Sequence, residues 1–413
     1  MSRAGQFRVA IRKFEPFESA IQKQWDSFEA TEHSGLQLDA QAFDLHDLTG
    51  TLFDRGGLKT GEWDIGFINT DWVASAYESR ALLDLAPYVK SNPPDGYPGA
   101  WTPSLLRLQK IDGQILGLPY HDGPECLIYR KDLFENPSER IAYQDRFGAP
   151  LQPPQTWAEF HQIARHFQRA GKGRFGTVFA AFPDGHNTVY DFLLQLWTRG
   201  GELFDKAGAL KLDSPEAIAA LEFYREILND PFAVHPRSRK MDSVKSGLAF
   251  AAGEAAMMVN WFGFAAMCET IPESKVRGRV AVAEIPHGPA GSTTSLNIYW
   301  LLSIGAGSPH ADLAYRFLRY CASASMDKLL TLEGAIGCRK STWLDAEVNR
   351  AIPFYRELER FHRNARELPR LPQWPTLAKA IDDLVLAAID TPEPVDQLVS
   401  RAQRRVQHLA AGV

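Results

Sequence analysis

Short apolar runs alternate with amphipathic stretches over the first seventy residues of the chain. Residues 7–11 predict a strand. Pro16 then opens a helix on which Phe17, Ile21, Trp25 and Phe28 share one face. Residues 36–43 alternate as a half-buried strand does, a helix follows through residue 58, and residues 63–68 predict the next strand. Strand, helix and strand joined by short links predict a parallel sheet flanked by helices. In such sheets ligands sit beyond the carboxyl ends of the strands.

The pattern changes over residues 113–134. An apolar run (Ile115, Leu116, Leu118) is followed by a polar break at 120–125 and a second apolar run at 126–129. Pro119, Gly123 and Pro124 do not suit a helix interior, so this segment is expected to be strand, turn and strand. A polar turn carrying His121, Asp122 and Glu125 is a place for a ligand, and also a place for the chain to leave one domain for another.

Further along, Thr156 and Glu159 form a capping box ahead of a helix through residue 170, with Phe160, Ile163, Ala164 and Phe167 as its buried stripe. Residues 171–176 match GxGxxG, but after a helix and before a strand (175–182). That is the reverse of the dinucleotide-binding order, and a helix C-cap with a turn is expected instead. Residues 248–268 carry one charge, Glu254, over about the length of a membrane-spanning helix. Gly253 and Gly263 interrupt that stretch, however, and 255–260 read as a short buried strand. A helix over 360–370 mixes arginines with glutamates and is expected to be a solvated face.

Composition narrows the class. At 413 residues, 45% apolar and 23% charged, the chain is globular and long enough for about two or three domains. A net charge of −5 and a pI near 6.1 give no basic footprint for nucleic acid. The four cysteines, Cys126, Cys268, Cys321 and Cys338, form no CxxC pair. They are expected as buried thiols, with one disulfide as the alternative. Residues 1–6 are short and polar, without a secretion signal, which fits a cytoplasmic protein or one whose signal has been left off.

The expected strand ends pair aromatic with hydrogen-bonding residues: 12–15, Phe43 with Asp44, and 69–72. Sugars have this double need, because their CH faces pack on rings while their hydroxyls seek carboxylates and amides. Loop aromatics that merely plug a core give the same pattern.

An ordered set of motifs then extends along the chain: GLPY, the charged YRKDLF turn, the PPQTWAEF helix start, DFLLQLWTRGG at 191–201, SPEAIAALEFYREIL at 214–228, GLAFAAGEAAMMVNWFG at 247–263 and SPHADLAYRFLRY at 308–320. In kind and order it resembles family 1 of the extracellular solute-binding proteins of ABC importers, the maltose-binding-protein-like sugar binders. The chain departs from that pattern at 136–152, a longer insert whose residues 140–147 suit an extra turn of helix.

The resemblance implies an α/β, two-lobed periplasmic-binding-protein fold, each lobe a mostly parallel sheet flanked by helices, joined by a multi-segment hinge. The lobes would be 1–117 with 287–321, and 118–286 with 322–413, crossing near 117–125, 284–287 and 321–325. It implies binding of a mono- or oligosaccharide or sugar derivative, delivery to ABC permease membrane subunits, a periplasmic location, a monomer, no nucleic acid and no cofactor. Carried over by position, the ligand-facing residues would be Lys13, Phe14, Glu15, Phe43, Asp44, Asn69, Asp71, Trp72, Tyr120, His121, Asp122, Glu125, Asn187, Asn260, Trp261, Asn297, Tyr299, Trp300 and Arg339.

Local alternatives stand beside these roles: Trp300 as core, Glu125 paired with Arg130, His186 and Asn187 as turn formers. Cys338 stands where a proline is common beside Arg339. Two other function classes fit the same residues. A glycoside-acting enzyme would set Asp122 against Asp71 or Glu125 at roughly 5–9 Å, and a sensor's ligand domain would bind without a transporter.

Overall fold

The computed structural model describes residues 5–410; the first four residues of the polar start therefore lie outside the described residues. The chain divides into two compact units, one of residues 1–123, 297–362 and 367–372, the other of 124–296, 363–366 and 373–413. The first passage, at 123–124, falls inside the expected crossing. The next lies at 296–297 rather than near 284–287, and 322–362 belong to the first unit rather than the second. The cause is a helix pairing: Ala324–Leu332 packs on Glu15–Glu32, where Gln24 Nε2 donates to the Met326 carbonyl at 3.1 Å and Ser19 and Lys23 reach Glu333 at 2.6 Å each.

The sheet of the first unit runs Gln37–Phe43, Gln6–Arg12, Ile65–Asn69, Trp300–Ile304, Leu118–His121. Its first three strands are parallel, as the strand–helix–strand reading expects, and the last two join antiparallel. Helix Glu15–Glu32 covers it, burying Phe17, Ile21, Trp25 and Phe28; Trp25 stacks on Phe7 with centroids 4.8 Å apart. The helix expected through residue 58 is Leu45–Thr49 continued as a π-helical turn, Gly50–Asp54.

The sheet of the second unit runs Val280–Ala283, Glu125–Arg130, Ala255–Trp261, Phe175–Thr177, and only its last pair is parallel. Both sheets are thus mixed, and the second departs from the mostly parallel expectation. Glu125 sits opposite Trp261, so the strand that enters this unit and the strand that returns to its entry point must run in opposite directions.

Several local expectations hold. Ala255–Trp261 is a strand, and no helix among the described residues is long and apolar enough to cross a membrane. The GxGxxG match is a short 3-10 turn, Ala170–Lys172, with Gly173 at φ 68°. The strand after it stops at Thr177. The insert forms helix Pro137–Phe147, capped by Asn136 Oδ1, which accepts from Ser138 N at 2.9 Å and Glu139 N at 3.2 Å. All four cysteines are buried and free. The basic helix expected at 360–370 ends instead at Arg363, and Ala365–Arg366 pairs in parallel with Ser295–Leu296.

The capping box is complete: Thr156 Oγ1 accepts from Glu159 N and Glu159 Oε2 accepts from Thr156 N, each at 3.2 Å. Thr156→Ala is expected to cost about 0.5–2 kcal/mol of stability. A urea midpoint equal to that of wild type would show the cap to be dispensable.

Candidate functional site

In the first unit the expected strand ends converge at one end of the sheet. Trp300 pairs with Asn69 on one side and His121 on the other, and Arg12 pairs with Phe43. Around this end lies an aromatic cluster: Trp72 and Trp300 meet edge-on at 5.5 Å, Phe17 lies 4.8 Å from His121, and Phe14 lies 5.0 Å from Phe17. Trp300 and Phe14 are half-buried, while Trp72 is only 8% exposed. Asn69 Oδ1 accepts from Asp71 N at 3.3 Å, fixing the turn that carries Trp72. Lys13 and Glu15 are exposed, with Lys13 N donating to the Phe43 carbonyl at 2.7 Å. Phe43 lies edge-on to Trp63 at 5.6 Å, and exposed Asp44 takes Arg12 Nη1 at 3.5 Å.

His121 Nδ1 accepts from Ile336 N at 2.9 Å, so its Nε2 carries the proton. Burial lowers this imidazole to about 4, which keeps it neutral. Asp122 is 1% exposed, and its Oδ2 lies 2.6 Å from His362 Nε2. The His362 ring stacks on Trp343, and its Nδ1 is 3.2 Å from Ser104 Oγ. A carboxylate so enclosed and already engaged is poorly placed for the proton transfers of a glycosidase.

In the second unit Trp261 is half-buried and meets Tyr190 edge-on at 5.8 Å. Glu125, 5% exposed, faces Trp261 across the strand pair. Burial, reinforced by the nearby Asp191 carboxylate, pushes Glu125 well above the usual carboxylate range. Burial also raises Asp191 to about 7, against the pull of the hydrogen bond that Tyr224 Oη donates at 2.5 Å.

Not every expected residue is free for a ligand. Tyr120 is core: it is 3% exposed, and its hydroxyl donates to Gln24 Oε1 at 2.9 Å. Tyr299 is fully buried and donates to the Leu105 carbonyl. Asn260 is consumed internally, with Nδ2 donating to the Ser243 carbonyl and Ser246 Oγ at 3.1 Å each and Oδ1 accepting from Trp261 N at 2.8 Å. Arg339 is withdrawn into the first unit, where Nη1 donates to the carbonyls of Asp95 at 3.0 Å and Ala322 at 2.8 Å over the Trp101 ring. Asn187 holds the turn before its helix, donating from Nδ2 to Asp184 Oδ2 at 2.8 Å. Glu125 does not pair with Arg130, which binds Asp132 at 2.6 Å instead.

Three of the expected polar residues keep at least one polar atom unengaged. Asp122 Oδ1, Glu125 Oε2 and both amide atoms of Asn297 are buried with no hydrogen-bond partner among the described residues. Sequence reasoning passed over Tyr190, Asp191 and His362 as side chains. A signal was present for Asp191, an acid heading the largely apolar run DFLLQLW.

The family described as bacterial extracellular solute-binding protein matches residues 13–328. A probable ABC transporter-binding protein of Deinococcus radiodurans is 24% identical over 320 residues, covering 76% of this chain and 71% of that one. The mannitol-binding protein of Pseudomonas aeruginosa is 25% identical over 323 residues, covering 73% and 71%. Among solved structures, maltose-bound MalE3 of T. maritima superposes with a TM-score of 0.84 at 23% identity, covering 98% of this chain and 99% of that one. A solute-binding protein of Agrobacterium radiobacter in complex with ribitol gives 0.86 at 22% identity, with the same coverage. The fold is therefore that of these binding proteins, and the match from residue 13 to residue 328 identifies the chain as a member of the bacterial extracellular solute-binding protein family.

Proposed function

We propose that the protein captures a neutral carbohydrate or polyol in the periplasm and delivers it, as a monomer, to the permease subunits of an ABC importer. The observation that carries this reading is the set of buried polar atoms without partners on Asp122, Glu125 and Asn297, in the same segments as Trp300 and Trp261. Each such group costs about 1–3 kcal/mol when left unmade, and hydroxyls both donate and accept, so a polyol suits the unengaged groups of either unit. The neutrality of the ligand rests on the cations. Arg339 is spent inside the first unit and Arg12 on Asp44 and the Phe43 carbonyl, which leaves Lys13 as the exposed candidate. The mannitol-binding relative and the maltose and ribitol complexes support the same ligand class, and the ABC transporter-binding relative supports the permease partner.

A thermal-shift screen across neutral sugars, polyols and sugar acids tests the reading, since a ligand bound by the folded protein raises Tm. Shifts confined to sugar acids would overturn the neutral assignment. With the best ligand, Trp261→Ala is expected to weaken binding by about 1–3 kcal/mol in calorimetry, with little change in the ligand-free Tm. Unchanged affinity would place Trp261 outside the site.

A further inference from the structure

The second unit carries a cavity of about 620 Å³, within the range of small-molecule sites. It shares no residue with the faces described above. Trp157, Phe147 and Phe223 supply apolar walls, and Arg146, Arg165 and Arg199 supply cations. We propose that this cavity binds a small organic anion, an oxyanion carried on an aromatic or apolar ring, with Arg199 and Arg146 as its charge partners.

Arg199 carries the argument. Its Nη1 donates to the carbonyl and Oε1 of Gln195, at 2.9 and 2.5 Å, and its guanidinium lies 5.2 Å from the Phe223 ring centroid. No carboxylate stands within ion-pair distance of it among the described residues, and burial lowers it to about 10. A desolvated cation without a counter-charge is costly and is relieved by an anion. Arg146 lies over the Phe147 ring at 4.9 Å, is exposed, and has no carboxylate within ion-pair distance among the described residues.

Of the acids at the cavity, Asp230 is already engaged and Glu226 stands in solvent. Asp230 takes His161 Nε2 at 2.6 Å and Arg165 Nε at 2.5 Å, and Glu226 lies 3.5 Å from His161 Nδ1. The cavity also holds the start of the 11-residue helix Trp157–Phe167. Trp157 N is used by the His287 carbonyl and Glu159 N by Thr156 Oγ1. The Ala158 N–H between them, also in the cavity wall, is uncommitted among the described residues, and a helix amino end favours negative charge. Arg146 and Phe147 come from the insert at 136–152, so this wall belongs to a segment by which the chain differs from the common family pattern.

Isothermal titration of the full chain with phenyl phosphate, benzoate and inorganic phosphate tests the proposal. Expected is saturable binding of phenyl phosphate, weaker binding of inorganic phosphate, weakening of both by salt, and an affinity loss of about tenfold or more in Arg199→Met. Arg146→Ala, at an exposed position, is expected to lose affinity in the same direction and serves as the variant of record if Arg199→Met fails to fold by circular dichroism. Sugar binding in both folded variants is expected to match wild type, which separates this site from the sugar site. No saturable heat from any of the three probes, or wild-type affinity in the folded variants, would overturn the proposal.

Discussion

Replacing Asp327 by alanine is expected to lower the unfolding free energy of the first unit by about 3–5 kcal/mol. Asp327 is 3% exposed, yet its carboxylate is the hub of the 337–342 segment. Oδ1 accepts from Cys338 N at 2.7 Å, and Oδ2 accepts from Arg339 N at 3.2 Å and Thr342 Oγ1 at 2.5 Å. Burial raises its pKa, while these hydrogen bonds and the Arg339 charge pull it back down. Alanine would leave three buried donors without an acceptor, and each is costly to strand. Asp327→Asn keeps one acceptor oxygen and is expected to lose less. The packing agrees: a Cβ on Gly337 would lie 2.4 Å from Asp327 Oδ2 and 2.7 Å from Thr331 Oγ1, so the segment passes the hub too closely for a side chain at 337. Guanidinium unfolding of the three proteins decides it, and a loss below about 1 kcal/mol for alanine would refute the assignment.

The second large effect is a pH dependence centred on Asp191. Its carboxyl is raised from an ordinary value of 3.8 to about 7, chiefly by burial. The folded protein therefore holds a proton that the unfolded chain gives up near pH 4. The stabilisation linked to that proton is fully present below pH 4 and is lost as pH rises towards 7, a displacement worth on the order of 4 kcal/mol. Glu125, raised in the same direction and facing the Asp191 charge, adds to the slope. In urea unfolding between pH 4 and 7, Asp191→Asn is expected to show a flatter profile than wild type, gaining on it as pH rises. The amide keeps an oxygen to accept from Tyr224. Parallel profiles would mean that Asp191 ionises as a solvated acid does.

Local chemistry was the legible part of the fold. The helix from Glu15, the Thr156 capping box and the buried strand at 255–261 are written in periodicity and cap residues that lie close together in sequence. Strand direction was not, because alternation reads the same along either direction; hence the antiparallel pairs of the second unit came from the structure. Nor was the allegiance of 322–362, which is set by Gln24 and Lys23 some 300 residues away in sequence. The candidate site divides in the same way. Residue type marks Asp122, Asn260, Asn297 and Arg339 alike as hydrogen-bonding groups. Only the fold shows that Ser243 and Ser246 use up Asn260 and that the Ala322 carbonyl holds Arg339, while Asn297 keeps both amide atoms unengaged among the described residues.

The four buried thiols have a practical consequence. Burial raises the pKa of each, so none presents a ready thiolate to an alkylating reagent. A single cysteine introduced at an exposed position such as Asp44 would then be the preferred point of attachment for a fluorophore, with the native cysteines left in place. Placed beside Phe43, at the strand end opposite Arg12, such a label is expected to report solute capture as a change in emission.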